Sequence, residues 1–324
     1  MKVYWAGIFT GDYIRSLKQE LTSQGVEIVE AHEDFLQKQI PPDALIHVHW
    51  LEAYGTSKHI VDDLQDVLSF YKGRNSLIWT AHNLQPHDMP LQKGREFYQA
   101  LIPFFDAAIH LGSPSIAKVE EIYDIPKTQQ QLLCLHHILP SEKDPGILTP
   151  WSDAPGTWIT LGRIRSRADK LQLGNYAREA QLSGKTLYVH RYPHLLQRRI
   201  FKNRFFDPQL LLQESKWRWF AKRVHLNFGF LEERELAAWI QGAERLLLPR
   251  TAHLNSGIPF LAAPFRIPIQ VPDTGNIPWQ LKQLGYEQHH KDVYHSINPT
   301  NWAQYQESAI SQWRNAYRTV NMHT

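Results

Sequence analysis

Histidines gather where the apolar runs of this chain end. His47-Val48-His49-Trp50-Leu51-Glu52 closes one run, and Thr80-Ala81-His82-Asn83-Leu84-Gln85-Pro86-His87-Asp88 closes another. Imidazole exchanges its proton near neutral pH, and a carboxylate at Asp88 or Glu52 can take a proton from a hydroxyl. The plainer reading is that His82 and Asn83 hydrogen-bond the turn backbone and that His47 and His49 are satisfied strand residues. A second group follows late in the chain: Leu254-Asn255-Ser256-Gly257, an apolar run, then Pro272-Asp273-Thr274-Gly275-Asn276. A polar turn with a glycine that leaves a strand and opens a helix points backbone N–H groups outward. The helix dipole adds positive charge there, which suits a phosphate; the alternative is a simple N-cap and turn. The third group is Leu161-Gly162-Arg163-Ile164-Arg165-Ser166-Arg167-Ala168-Asp169-Lys170, a basic loop whose cations can neutralise a departing diphosphate.

These groups need strands and helices to hold them. Apolar runs at Lys2–Ile8, Val26–Glu30, Ala44–Trp50, Ser76–Ala81, Ala107–Leu111 and Leu132–Leu135 read as strands. Helical periodicity falls between them at Tyr13–Ser23, Ser57–Tyr71 and Leu91–Phe104, and Ser113-Pro114 reads as an N-cap followed by proline at the first helical position. Such alternation predicts parallel βαβ units. Pro140–Pro155, rich in proline and charge, reads as a linker. The alternation then resumes: strands at Thr157–Gly162, Lys185–His190, Val224–Gly229, Arg245–Pro249 and Ile267–Val271, and helices at Asp169–Ser183, Glu232–Gln241, Ile277–Leu284 and Asn301–Val320. The expected architecture is α/β, with two Rossmann-like halves and one extra C-terminal helix.

With 324 residues the chain is comfortable for two domains. Its one cysteine, Cys134, excludes an internal disulfide and fits a reducing, cytoplasmic setting. The N-terminus lacks the pattern of a secretion signal, and no apolar run approaches a membrane span. A net charge of only +3 speaks against a nucleic-acid partner.

Together, His47-Val48-His49-Trp50, Trp79-Thr80-Ala81-His82-Asn83-Leu84-Gln85-Pro86-His87-Asp88, Leu161-Gly162-Arg163-Ile164-Arg165 and Leu254-Asn255-Ser256-Gly257 resemble segments of GT-B-type glycosyltransferases. The likeness is to bacterial exopolysaccharide and lipopolysaccharide sugar transferases, including glucuronosyl- and mannosyl-transferase-like members. It runs in order from about residue 3 to 285. The resemblance implies an N-terminal acceptor domain (1–142), a C-terminal nucleotide-sugar domain (156–298) and a helix (299–324) that returns to the N-terminal domain, with chemistry in the cleft that the two domains face. It implies a nucleotide-diphosphate sugar as donor and no obligatory cofactor or metal. Donor contacts are expected from Arg163, Arg165, Lys170, His253, Asn255, Ser256, Gly257, Asp273 and Thr274. Acceptor contacts are expected from His49, Trp50, Glu52 and Asn83, and the base from Asp88, then His82 or His87. Two departures stand out. Retaining members hold two glutamates eight positions apart, where this chain has His253 and Leu261, which favours an inverting reaction. The lysine usual five residues after the loop arginine falls at Ala168, with Lys170 or Arg167 nearby.

The basic-aromatic stretch Arg191–Arg223 reads either as a patch for anionic membrane, where a lipid-linked acceptor would lie at the inner face, or as ordinary helices with buried aromatics. Two other functions compete. A metal-dependent hydrolase would use His47, His49, His82, His87 and Asp88 as ligands. A sugar-binding partner without catalysis would need only the donor site.

Overall fold

The computed structural model describes residues 1–7, 12–86, 89, 91–135, 156–162, 164, 166–190, 224–227, 233–251, 254–290, 292–297 and 302–321. The chain forms two units. One comprises Met1–Pro140, His253–Gly257 and Thr300–Thr324, and the other Ser141–Ala252 and Ile258–Pro299.

The first unit is built on six strands, β1 (Lys2–Ala6), β2 (Glu27–Glu30), β3 (Leu45–Val48), β4 (Ser76–Thr80), β5 (Ala107–His110) and β6 (Gln130–Leu133). All neighbouring pairs are parallel, in the order β2-β1-β3-β4-β5-β6. Between them run α1 (Asp12–Ser23), α2 (His32–Leu36), α3 (Lys58–Tyr71), α4 (Leu91–Leu101) and α5 (Ser113–Ile122). The central strands are buried along their whole length, as expected of a parallel sheet covered on both faces.

The second unit pairs β7 (Thr157–Thr160), β8 (Thr186–His190), β9 (Val224–Asn227), β10 (Arg245–Leu247) and β11 (Ile269–Gln270) in parallel. An antiparallel hairpin of β12 (Tyr286–His290) and β13 (Val293–Ser296) extends the edge next to β11. The order is β12-β13-β11-β10-β7-β8-β9. Its helices are α6 (Arg167–Leu182), α7 (Glu233–Gln241), α8 (Ile258–Ala262) and α9 (Ile277–Gln283). The last helix, α10 (Trp302–Asn321), belongs to the first unit.

Side-chain alternation divides the core of the first unit into two layers. Ala6, Ile46, Val48, Leu77 and Trp79 pack with α3 and α4 residues such as Leu64, Leu68 and Phe97. Val3, Trp5, Leu45, Ile78 and Ile109 pack on the other face with Ile14 and Leu17 of α1 and Ile310, Trp313 and Tyr317 of α10. In the second unit Trp158, Leu187, Val189 and Leu247 meet Leu173, Tyr176 and Ala180 of α6.

Several expectations need correction. Ser113 is not an N-cap: Gly112 precedes α5 as its cap, no side chain caps the helix, and Ser113 is its first residue. The strand expected at Leu132–Leu135 begins two residues earlier, because its pairing with β5 starts at Gln130 opposite Ala107. The β12–β13 hairpin, α2 and a 3-10 turn at Leu51–Tyr54 are additional elements. The expected linker and the basic-aromatic stretch 191–223 lie outside the described residues. No described helix is long and apolar enough to cross a membrane.

Candidate functional site

Ligands of open parallel sheets bind beyond the carboxyl ends of the strands where the strand order reverses. In the first unit that point lies between β1 and β3. Gly7 follows β1 with φ +135°, and a Cβ there would lie 2.6 Å from the carbonyl oxygen of His49. Only glycine lets the two strand ends approach this closely.

The histidines occupy the α10-facing positions of β3. His47 follows Leu45 by two residues and His49 follows by four, so both point to the layer of Trp5 and Tyr317. His47 is fully buried, with Nδ1 2.8 Å from the Tyr317 hydroxyl and Nε2 2.8 Å from Thr80 Oγ1. Trp5 Nε1–H donates to the same Tyr317 oxygen at 3.1 Å. The set is satisfied when Tyr317 donates to Nδ1 and the Nε2–H of His47 donates to Thr80. Burial drives the His47 and His49 imidazoles well below their usual range, and the neighbouring ring, His82 for His47 and His47 for His49, adds to the shift. Both rings are therefore neutral at neutral pH.

His82 stands at the carboxyl end of β4 and is held from several sides. Its Nε2 lies 3.2 Å from His49 Nδ1. The Trp50 ring stacks on it at 4.0 Å and 13°, and Tyr13 meets it edge-on at 6.0 Å. Trp50 has φ 41° and ψ 75°, a left-handed backbone uncommon for a bulky residue. Such strain persists only where surrounding structure enforces it. Asn255 Nδ2 donates to the carbonyls of Ala81 (3.2 Å) and His82 (2.9 Å), so the 253–257 segment fixes the loop after β4. Beside it, Glu52 accepts from Asn83 Nδ2 and from the Tyr98 hydroxyl, each at 2.8 Å. Thus His47, His49, Trp50, Glu52, His82, Asn83 and Asn255 form one constellation, whereas His87 and Asp88 lie outside the described residues.

The second unit has its reversal between β7 and β10. Gly162, two residues past β7, has φ +83°, and a Cβ there would collide with Nη2 of Arg250. Arg250 is buried at 8% exposure, three residues past β10. Its N–H donates to Leu248 O at 2.8 Å and its carbonyl accepts from Thr274 Oγ1 at 2.8 Å. Ser166 caps α6, and Asp169 completes the capping box. The fully buried Asp169 carboxylate also accepts from Thr251 N (3.0 Å) and Thr251 Oγ1 (2.9 Å). One carboxylate thereby ties the loop after β7 to the loop after β10.

Of the expected donor residues, Arg163, Arg165 and His253 lie outside the described residues. Lys170 is half-buried in the first turn of α6, Thr274 holds the Arg250 carbonyl, and Asp273 is exposed. Ser256 and Gly257 precede the five-residue α8; a Cβ on Gly257 would meet nothing within 4 Å. Sequence reasoning passed over Arg250, Thr251, Tyr98, Thr80 and Tyr317 as site residues. The available signal for Arg250 was an arginine directly after the buried run Leu246-Leu247-Leu248-Pro249.

The metal-hydrolase reading is not favoured. Both ring nitrogens of His47 are engaged by Tyr317 and Thr80, and among the described residues no group of three or more His, Cys, Asp or Glu side chains could hold a metal ion.

No protein-family profile and no curated protein sequence matches the chain. Solved structures do. A sucrose-phosphate synthase from Thermosynechococcus elongatus superposes with TM-score 0.58 at 13% identity, over 99% of this chain and 94% of its own. The UDP-forming α,α-trehalose-phosphate synthase from Burkholderia xenovorans, solved with glucose-6-phosphate, gives 0.57 at 12% identity over 100% and 96%. A chain of a GtfA/B complex gives 0.50 at 14% identity; the match spans 89% of this chain but only 59% of that one. These neighbours are GT-B glycosyltransferases, and two Rossmann-like sheets of the present kind, matched over nearly the whole length, give this chain the GT-B fold.

Proposed function

We propose that the protein is a glycosyltransferase that moves a hexosyl group from a nucleotide-diphosphate sugar to a hydroxyl of a glycan or lipid-linked acceptor, with inversion and without an obligatory metal. The observation that carries this reading is the fixing of His82: a strained Trp50 and the His49 ring meet its imidazole at a strand end, and the Asn255 amide holds its backbone carbonyl. A neutral imidazole can accept a proton. In the reaction the base takes the acceptor's hydroxyl proton, the oxygen bonds to the anomeric carbon, and the carbon–oxygen bond to the diphosphate breaks. His82 fills the base role within the described constellation, and Asp88 is the carboxylate that would share or assume it. Trp50, Glu52 and Asn83 would hold the acceptor; Arg163, Arg165, Lys170 and the 253–257 turn would hold the donor. The UDP-forming neighbour supports a nucleotide-borne donor. If the acceptor is lipid-linked, stretch 191–223 would carry the enzyme to the inner membrane face.

The test is release of nucleoside diphosphate from a panel of nucleotide sugars in the presence of glycan and polyprenyl-linked acceptors. Turnover with one donor, reduced about 10²- to 10⁴-fold in His82→Gln, is expected. A folded protein silent across the panel would count against the assignment.

A further inference from the structure

His49 and His82 are both buried, and their rings meet through nitrogen, His82 Nε2 lying 3.2 Å from His49 Nδ1. Two neutral imidazoles joined in this way must divide the roles: one nitrogen carries the proton and the other offers its lone pair. Only one division leaves His82 able to act. If His49 Nδ1–H donates, the lone pair of His82 Nε2 is taken and its own proton sits on Nδ1. If His82 Nε2–H donates, Nδ1 keeps the lone pair that a base needs. Once His82 is protonated the second division is compulsory, because Nε2 is then a donor and its partner must be neutral. Burial holds His49 well below its usual range, with His47 adding to the effect. The His47 ring lies 4.0 Å from that of His49, with its two nitrogens at Tyr317 and Thr80. The Trp50 ring stacked on His82 offers its π face to the positive charge that His82 gains.

We propose that His49 is a positioning residue that accepts the Nε2 proton of His82, so that His82 takes the acceptor's hydroxyl proton at Nδ1. This rests on the glycosyltransferase reading above. In the step, the hydroxyl O–H bond breaks and an N–H bond forms at His82 Nδ1. The oxygen's electron pair bonds to the anomeric carbon, and the diphosphate leaves with the pair of the broken carbon–oxygen bond. His49 neither gains nor loses a proton. A neutral ring stabilises the imidazolium less than a carboxylate would, so His82 releases its proton more readily after transfer.

Two measurements test this. Long-range 15N–1H correlation spectra of the wild-type imidazoles read the proton positions directly. A protonated His82 Nε2, joined by a 15N–15N coupling to a bare His49 Nδ1, is expected; a proton on His49 Nδ1 overturns the proposal. The second is turnover with the donor that the nucleotide-sugar panel identifies. His49→Leu keeps the position apolar and removes the acceptor. It should lower kcat about 10- to 100-fold with KM within about twofold, the loss expected of a hydrogen bond to a charged group. His49→Asn, whose amide oxygen can stand near the place of Nδ1, should restore most of the rate. A folded His49→Leu protein with unaltered kcat overturns the proposal while sparing the function. Where His49→Leu does not fold, the asparagine variant and the wild-type spectra decide. A wild-type chain silent toward every donor overturns the glycosyltransferase reading and the base role with it, while the pairing of the two rings is still read from the spectra.

Discussion

The two sheets solve one geometric problem with opposite chemistry. In each, a glycine of positive φ follows the first strand at the point where the strand order reverses, and in each a Cβ has no room. At Gly7 the space is taken by a backbone carbonyl, amid neutral imidazoles and aromatic rings. At Gly162 it is taken by a guanidinium, with a buried carboxylate bracing the neighbouring loop. The same turn geometry thus serves two chemically unlike surroundings, neutral rings in one unit and a buried cation in the other.

Acid should separate the two units most strongly. His47 and His49 are held well below their usual range and His110 is pushed down to about 4, in each case chiefly by burial. In the unfolded chain these histidines titrate near 6.5. Between the two values the unfolded state binds more protons, so this contribution is complete above about pH 6.5 and is lost as the pH falls below it. For His110 this costs on the order of 2 kcal/mol by pH 5, and His47 and His49 act in the same direction. Hydrogen exchange at pH 7 and pH 5 should show β3 and β5 losing protection before β7 and β10.

Gly7→Ala and Gly162→Ala test how rigid each opening is. The first drives a methyl into backbone and should cost about 3 kcal/mol in a denaturant melt. The second meets the end of a long side chain that can swing away and should cost roughly half as much. Equal losses would show that the guanidinium is as immobile as the carbonyl. Tyr317→Phe comes next. It strips the partner from Trp5 Nε1–H and from His47 Nδ1, and should cost about 1–3 kcal/mol with little change in the second unit. The smallest effect belongs to Gly257→Ala, within about 0.5 kcal/mol because the added methyl meets no described atom. A loss of donor affinity there without a change in Tm would place ligand against that turn.

The βαβ alternation was legible because buried parallel strands are continuous apolar runs and the intervening helices carry a clear apolar face. β12 was not, since four of the five residues of Tyr-Glu-Gln-His-His are exposed and lack alternation. α2 is a single turn with one buried side chain, Phe35, too short for periodicity to register. The histidine constellation was legible as residues at strand ends, but its wiring was not. Tyr317 reaches His47 across 270 positions and Asn255 reaches the His82 carbonyl across 173, separations on which local spacing is mute. Asp169 read as one residue of a basic loop, and its buried role depends on Thr251, 82 positions away.

The first unit is also discontinuous in sequence, and this bears on how the protein is made. Ile310, Trp313, Ala316, Tyr317 and Val320 fill one face of a sheet whose strands all lie before residue 134. As the chain emerges from the ribosome, that sheet has its α3–α4 side covered early and its other side covered only in part, by α1, until α10 follows the second unit. Domains tend to fold as units during synthesis. Here the second unit can finish first, and the sheet that precedes it in sequence closes after it. Shortened versions ending before α10 would keep an oily, unshielded face and aggregate, so any attempt to isolate the histidine-bearing half must splice that helix back on.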